Sequence, residues 1–305
     1  MARFFLRRAG SAVFAIIAAT ILVFGFSRLT GDPRLRFLSE HTTQENWDAW
    51  GKEFGLDKPL VVQYFVWLGH AARGDLGVSL NESRPALAMI RERLRPTLEL
   101  AITGWALSIA IGIPLGILSA VRRGSVFDYV ARSFAMAGQA LPPFWLGLVL
   151  ILLFAVRFHW LPAGTRGGLT NLIMPAATLA LINASSNLRI TRSSTLEVLD
   201  SEYVKFARAK GVRNMVVIWK HAFRNAAIAP LTNAGLLLAA FLTGTVVTET
   251  VFAWPGLGRL AVEAVRTNDF PVITGVTLVF TLLYVGANLV VDLAYAFIDP
   301  RVRFR

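Results

Sequence analysis

"ARAKGVRNMVVIWKHAFRNAAIAP", residues 207–230, decides how this chain is read. It is basic, a glycine divides it, and it leads from one long uncharged run, 167–188, towards another, 225–248. Just upstream, Leu196, Leu199, Tyr203 and Phe206 follow a 3-4-3 spacing. That spacing predicts one apolar stripe on a helix, with Glu197, Lys205, Arg208 and Lys210 off the stripe. Gly211 then stops the helix, because glycine adopts the left-handed backbone that ends helices at little cost. Asn214 is placed to cap a second helix, which continues through His221 and Arg224 into the next apolar run. A loop that only fixed topology would need two or three basic residues. The 36 residues of 189–224, read as ordered amphipathic helix, predict a docking surface.

The rest of the chain says what this loop interrupts. Of 305 residues, 55% are hydrophobic and only 16% charged, and the mean hydropathy is +0.55. Soluble domains carry about 25% charged residues, so the composition is that of a membrane protein. The net charge of +12 is spread between apolar segments and forms no single patch, which argues against a nucleic-acid partner. Cysteine is absent, so a disulfide framework and a cysteine metal site are excluded. The four histidines, His41, His70, His159 and His221, are scattered and read as solvated or interfacial; no metal site is expected.

A spanning helix needs about 20 mostly apolar residues. Six uncharged stretches fit: Ala9–Ser27, Leu100–Val121, Ser133–Val156, Gly167–Leu188, Asn225–Thr248 and Phe270–Val291. The first follows a basic start, and its length favours a retained helix over a cleaved signal. The fourth carries Asn171, Asn183, Ser185, Ser186 and Asn187, which suits a helix facing protein or a water-filled path. Basic residues in short loops set the orientation. Segments 1–8, 122–132, 189–224 and 292–305 are basic, the third with eight basic against three acidic residues. Both termini are therefore expected in the cytoplasm. The long segment 28–99, with ten residues of each sign, is expected outside. Within it, Leu60, Val61, Tyr64, Phe65, Leu68, Ala71 and Ala72 follow helical spacing. That helix either lies on the membrane surface, with Tyr64 and Trp67 at the interface, or packs within a small external subdomain. No repeat or low-complexity linker divides the chain, so 1–305 reads as one membrane domain.

Several motifs together carry a family resemblance. "EYVKFARAKG" followed by "HAFRNAAIAP" resembles the coupling loop, often called the EAA loop, of ABC-importer permeases of the dipeptide/oligopeptide/nickel branch. "GDP" at 31–33, "LDKPLVVQYFVWLGHAARGDLGVS", "LPPFWLGLVLILLF", "FHWLPAGT", "ETVFAWPGLGRL", "NDFPVITG" and "AYAFIDPRVR" fit the same pattern in order. The match covers nearly the whole chain and is similar to the first of the two permeases of such systems. Two departures stand out. Lys205 occupies the position where many importers have glutamate, and 177–194 has no proline near its middle.

The resemblance implies an all-α, six-helix permease of type I importer fold in a bacterial inner membrane. It implies a second related permease, two ATPase subunits, and a periplasmic or lipid-anchored substrate-binding protein. It places ATPase coupling on Glu202, Tyr203, Phe206, Ala207, Arg208, Ala209, Lys210 and Gly211. It places an external gate and binding-protein contact on Phe252, Trp254, Pro255, Gly256, Leu257 and Gly258, where Trp254-Pro255-Gly256 also encodes a turn before a short helix. No cofactor is expected in this chain, ATP and magnesium belonging to partner subunits; its sequence has no G-x-x-x-x-G-K-[ST]. The cargo stays open among dipeptides, oligopeptides, glutathione, nickel chelates and opines. Gln139, Asn183, Asn187, Asn233 and Asn288 are candidate pathway residues by depth and polarity, as is Asp292 unless it sits at the inner interface. Helix packing accounts for any of them equally well. A membrane enzyme and an ATP-independent carrier are the competing classes, and no catalytic pair at matching depth supports the first.

Overall fold

Apolar runs of this length have to satisfy their backbone groups internally once in lipid, and helices do so residue by residue. The computed structural model describes residues 2–29, 43–53 and 55–298. The expected motif at 31–33, His41, and Arg301, Arg303 and Arg305 lie outside them. The regular structure among the described residues is helical, with one isolated bridge between Val78 and Pro85. In order they are α1 (Ala2–Leu29), α2 (Gln44–Glu53), α3 (Leu60–Ala72), α4 (Ala86–Val121), α5 (Val126–Ala140) and α6 (Pro143–Leu150). A π-helical stretch, Ile151–Arg157, extends α6. Then come α7 (Leu169–Leu199), α8 (Glu202–Ala209), α9 (Asn214–Val216), a second π-helical stretch (Val217–Phe223), and α10 (Arg224–Ala226). The chain ends with α11 (Ile228–Thr243), α12 (Val246–Val251), α13 (Leu257–Arg266) and α14 (Phe270–Ile298).

Among the described residues, α4, α7 and α14 are long and apolar enough to cross a membrane. Two bent pairs, α5 with α6 and its extension, and 214–226 with α11, bring the number to five where each pair counts as one span, and α1 carries a shorter apolar stretch at Gly10–Gly25. The boundaries differ from those of the apolar runs. The second span starts fourteen residues early, at Ala86 instead of Leu100, so 86–99 continue a helix that the charges do not break. The expected third span is not one straight helix: the chain bends by 109° between α5 and α6. Leu141, preceding a proline, is extended at φ −81° and ψ 128°, as the proline ring requires. The two prolines then open α6. The fourth span runs on to Leu199, and the fifth ends at Thr243, before Gly244.

The chain divides into two compact units. The first comprises residues 1–96 and 255–285. Its core is Leu76, Ala86, Met89, Ile90, Val272 and Val276, with Leu257, Leu260 and Ala264 of α13 presenting one face at 3-4 spacing. The buried Asp269 carboxylate ties this unit together, accepting from Ser79 Oγ at 2.5 Å and from the Leu80 and Asn81 N–H groups at 3.2 and 3.3 Å. Helix α3 has no fully buried residue. Tyr64 and Trp67 turn to Phe24 of α1, at 5.6 and 5.7 Å between rings, while Leu60, Val61, Val62 and Phe65 stay exposed.

The second unit comprises 97–254 and 286–305. Its core joins Leu100 and Ala101, Leu172, Ala176 and Leu179, Ala239, Phe241 and Leu242, Trp254 and Ala287. Helices α4 and α7 approach almost backbone to backbone. A Cβ on Gly112 would stand 2.6 Å from the Ala184 carbonyl oxygen, and one on Gly116 2.6 Å from Thr191 Cβ. This G-x-x-x-G spacing is a device for close helix packing in lipid.

Candidate functional site

The loop after α7 forms the candidate site. Helix α7 ends at Leu199, and Ser201 is extended at φ −71° and ψ 151°. The expected stripe Leu196–Leu199–Tyr203–Phe206 is therefore split over two helices. Leu199 is buried, but Tyr203 is 44% and Phe206 60% exposed. The inward face of α8 is instead Val204 and Ala207. They pack with Leu199, Val217, Ala222 and Ala120 in a small apolar seat. The turn resets the helical phase, and that is why the simple periodicity misplaced the buried side.

Glu202 lies in the first turn of α8 and Arg208 in the last, the polarity a helix dipole favours. Lys205 Nζ donates to Glu202 Oε1 at 2.8 Å, and that carboxylate pushes the ammonium's pKa up. Lys210 Nζ sits 4.4 Å from the Phe206 ring centre, and Asn225 Nδ2 donates to Tyr203 Oη at 2.8 Å. These contacts hold the exposed aromatics in place.

Gly211 has φ +74°. Its N–H donates to Arg208 O at 2.9 Å, and the Val212 N–H to Ala207 O at 3.3 Å. This is the two-bond closure that a left-handed glycine makes at a helix end. Asn214 is the first residue of α9 and Arg213 precedes it without a side-chain cap, so the expected Asn214 cap is not formed. Beyond it, Met215 and Trp219 are exposed at 66% and 50%; neither was singled out from sequence. Tyr203, Phe206, Met215 and Trp219 thus stand outside a seat made of small and branched residues.

The outer-loop residues are interior. Phe252, Trp254 and Leu257 are buried, with Gly256 and Gly258, and Pro255 is half-buried. The Phe252 carbonyl accepts from the Thr165 N–H at 2.8 Å, and Trp254 belongs to the core of the second unit. Of these residues only Pro255 keeps part of its surface open; the side chains of Phe252, Trp254 and Leu257 offer no contact surface in this conformation, unlike the expectation from motif position. The short helix predicted after the turn is α13.

Of the pathway candidates, the structure joins two. Asn233 Nδ2 donates to Asn187 Oδ1 at 2.8 Å, and Asn187, fully buried, donates to Ser108 Oγ at 3.4 Å. Asn183 donates back to Leu179 O of its own helix at 2.8 Å. Gln139 is exposed and accepts from Arg189 Nη1 at 3.2 Å. Asn288 and Asp292 are half-buried on α14. The Asn187 side chain serves packing between α4, α7 and α11.

Sequence reading also passed over Asp128. It is the sole acidic residue in 122–132, among three arginines, and that isolation was the available signal. It is 1% exposed and takes a two-pronged contact from Arg192.

The family model described as binding-protein-dependent transport system inner membrane component matches residues 112–304. The N-terminal model of binding-protein-dependent transport membrane components matches residues 1–101. A putative peptide transport system permease protein of Brucella abortus (strain 2308) is 38% identical over 313 residues, covering 100% of both chains. A putative peptide permease protein of Brucella suis biovar 1 (strain 1330) is 40% identical over 319 residues, covering 99% of each. The dipeptide transport system permease protein of Escherichia coli (strain K12) is 35% identical over 338 residues, again covering 100% of both. Among solved structures, the inward-facing MetNI methionine ABC transporter superposes with a TM-score of 0.59 at 17% identity, over 70% of this chain and 97% of that one. An amino acid ABC transporter, solved with histidines, gives 0.52 at 19%, over 68% and 92%.

Proposed function

The chain belongs to the family of binding-protein-dependent transport system inner membrane components, and from that membership we propose that it carries peptides across the bacterial inner membrane as one permease of an ABC importer. The observation that carries the reading is the loop at 200–219. It presents exposed Tyr203, Phe206, Met215 and Trp219 on a seat of buried Val204 and Ala207, in a chain that the family models match over 1–101 and 112–304. Peptides as cargo follow from the names of the relatives in Brucella and Escherichia coli.

The whole chain acts as a single permease domain, with 28–99 and the turn at 252–258 outside and both termini and 189–224 in the cytoplasm. A second related permease completes the pathway. Two ATPase subunits receive α8, one on each permease, and supply the ATP chemistry that this chain lacks. A substrate-binding protein delivers cargo from outside. Closure of the ATPase pair displaces α8, and α7, separated from it by two residues, passes that displacement to the spans. Access then alternates about a midplane path, as in other transporters built from rigid helices. Phe252 and Trp254 serve the outer gate through packing and not through surface contact. Asn233 and Gln139 border the path; Asn187 sets the helix spacing behind it.

Ala207→Glu tests the coupling role. It forces a carboxylate into the apolar seat, where an unpaired charge is strongly disfavoured. The expected result is loss of ATPase co-purification with the membrane-inserted helices intact by circular dichroism. Unaltered assembly would count against the reading.

A further inference from the structure

Asp128 lies in the first turn of α5, just after Ser125, whose hydroxyl accepts from the Asp128 N–H and caps the helix. Its carboxylate is gripped by three elements. Ser119 Oγ, near the end of α4, donates to Oδ1 at 2.6 Å. The Gly124 N–H, in the turn between α4 and α5, donates to Oδ2 at 3.0 Å. From α7, Arg192 places Nε 2.8 Å from Oδ1 and Nη2 3.0 Å from Oδ2. Arg192 Nε also approaches Ser119 Oγ at 3.1 Å, and Arg132 Nε stands 3.7 Å from Oδ1.

A two-pronged guanidinium–carboxylate pair fixes orientation as well as distance. Buried, it contributes little net stability against an apolar replacement, yet separating its partners is heavily penalised. Such a group resists relative sliding of the helices it joins. Its position matches that property. Arg192 stands seven residues, about two turns, before α7 ends at Leu199. Ala120, next to Ser119, belongs to the seat under α8. On its other side, α4 and α7 are already locked by Gly116 against Thr191; α5 packs on α7 further along, through Ala131 and Ala135 against Leu188, and at its first turn the ion pair supplies the contact to α7.

We infer that the Asp128–Arg192 pair, with Ser119, is the tie that makes the ends of α4, α5 and α7 move as one body when the coupling segment is displaced. The inference rests on reading 189–224 as the ATPase-docking loop. Both residues are positioning residues and touch no substrate. Without the tie, the ATPase subunits still dock and hydrolyse and α8 still moves, while the first turn of α5 no longer follows.

The test is the ratio of solute imported to ATP hydrolysed, measured on the complete transporter in proteoliposomes with its binding protein and a labelled mixture of dipeptides. Asp128→Asn keeps the side-chain shape and removes the charge. The expected result is ATPase activity within about twofold of the unaltered complex and at least a fivefold lower ratio. Arg192→Lys keeps the charge without the fork, and should lower the ratio less than Asp128→Asn does. A proportional fall in both activities, or an unchanged ratio, overturns the inference. If Asp128→Asn fails to assemble, the Arg192→Lys complex is judged by the same ratio; if neither assembles, the pair is a folding requirement and the inference is also overturned. Failure of the unaltered complex to import with ATP would instead strike at the transport reading itself.

Discussion

Two neighbours on one short helix have opposite fates, and this gives a quantitative prediction. Phe206 is 60% exposed and Val204 fully buried, although only one residue separates them on α8. Burying a whole phenylalanine side chain contributes about 1.5–3 kcal/mol. If docking covers the exposed part of Phe206, the gain is about 1–2 kcal/mol, or roughly 5- to 30-fold in affinity at 1.4 kcal/mol per decade. Phe206→Ala should therefore weaken ATPase binding by that factor and change the stability of the free permease by less than about 0.5 kcal/mol. Val204→Ala should do the reverse first. It removes two buried methyl groups from the seat, costing about 1–2 kcal/mol locally, and weakens docking only through a looser α8. The assay is titration of detergent-solubilised permease with fluorescent ATPase subunit, alongside thermal unfolding of the permease alone. Affinity unchanged within twofold for Phe206→Ala, or a large loss of intrinsic stability, would refute the assignment of faces.

Further outcomes follow from other sites. Gly211→Val places a branched side chain at φ +74°, which costs about 1–2 kcal/mol or more. Faster amide exchange across 207–212 should report it, with Gly211→Asn milder. Gly116→Leu drives a side chain into Thr191 and the Leu188 carbonyl, and should abolish the folded protein in size-exclusion profiles. Trp254→Ala removes a core side chain and should destabilise the permease by about 3–5 kcal/mol in thermal unfolding. An intact fold with lost binding-protein contact would place Trp254 on the surface instead. Asp269→Asn weakens the carboxylate's hold on the 79–81 turn and should raise protease sensitivity around residues 79–83, reflecting about 1–3 kcal/mol of lost satisfaction.

Legibility followed the range of the interaction. Gly211 and α13 were readable because each is set by local backbone chemistry, whereas the turn expected at 254–256 forms two residues earlier, at 252–253, with Ala253 at φ 49°. The bend in the third span was half-readable: Pro142 and Pro143 marked an irregularity, while the 109° angle depends on what each half packs against. The buried face of α8 was misread because Ser201 resets the phase and because its partners, Val217 and Ala222, lie beyond the turn. Motif position pointed to Phe252 and Trp254 as important, but burial is a property of the packed chain. Asp128 was missed for the same reason, since its partner Arg192 is 64 residues away.

The central claim is that this permease moves solute only when borrowed ATPases push on the 200–219 loop. The most direct measurement is uptake of labelled dipeptides by proteoliposomes holding the full complex, with either active or hydrolysis-dead ATPase subunits. The account predicts sustained ATP-dependent uptake with the first and none beyond the binding background with the second. Equal uptake in both would contradict it.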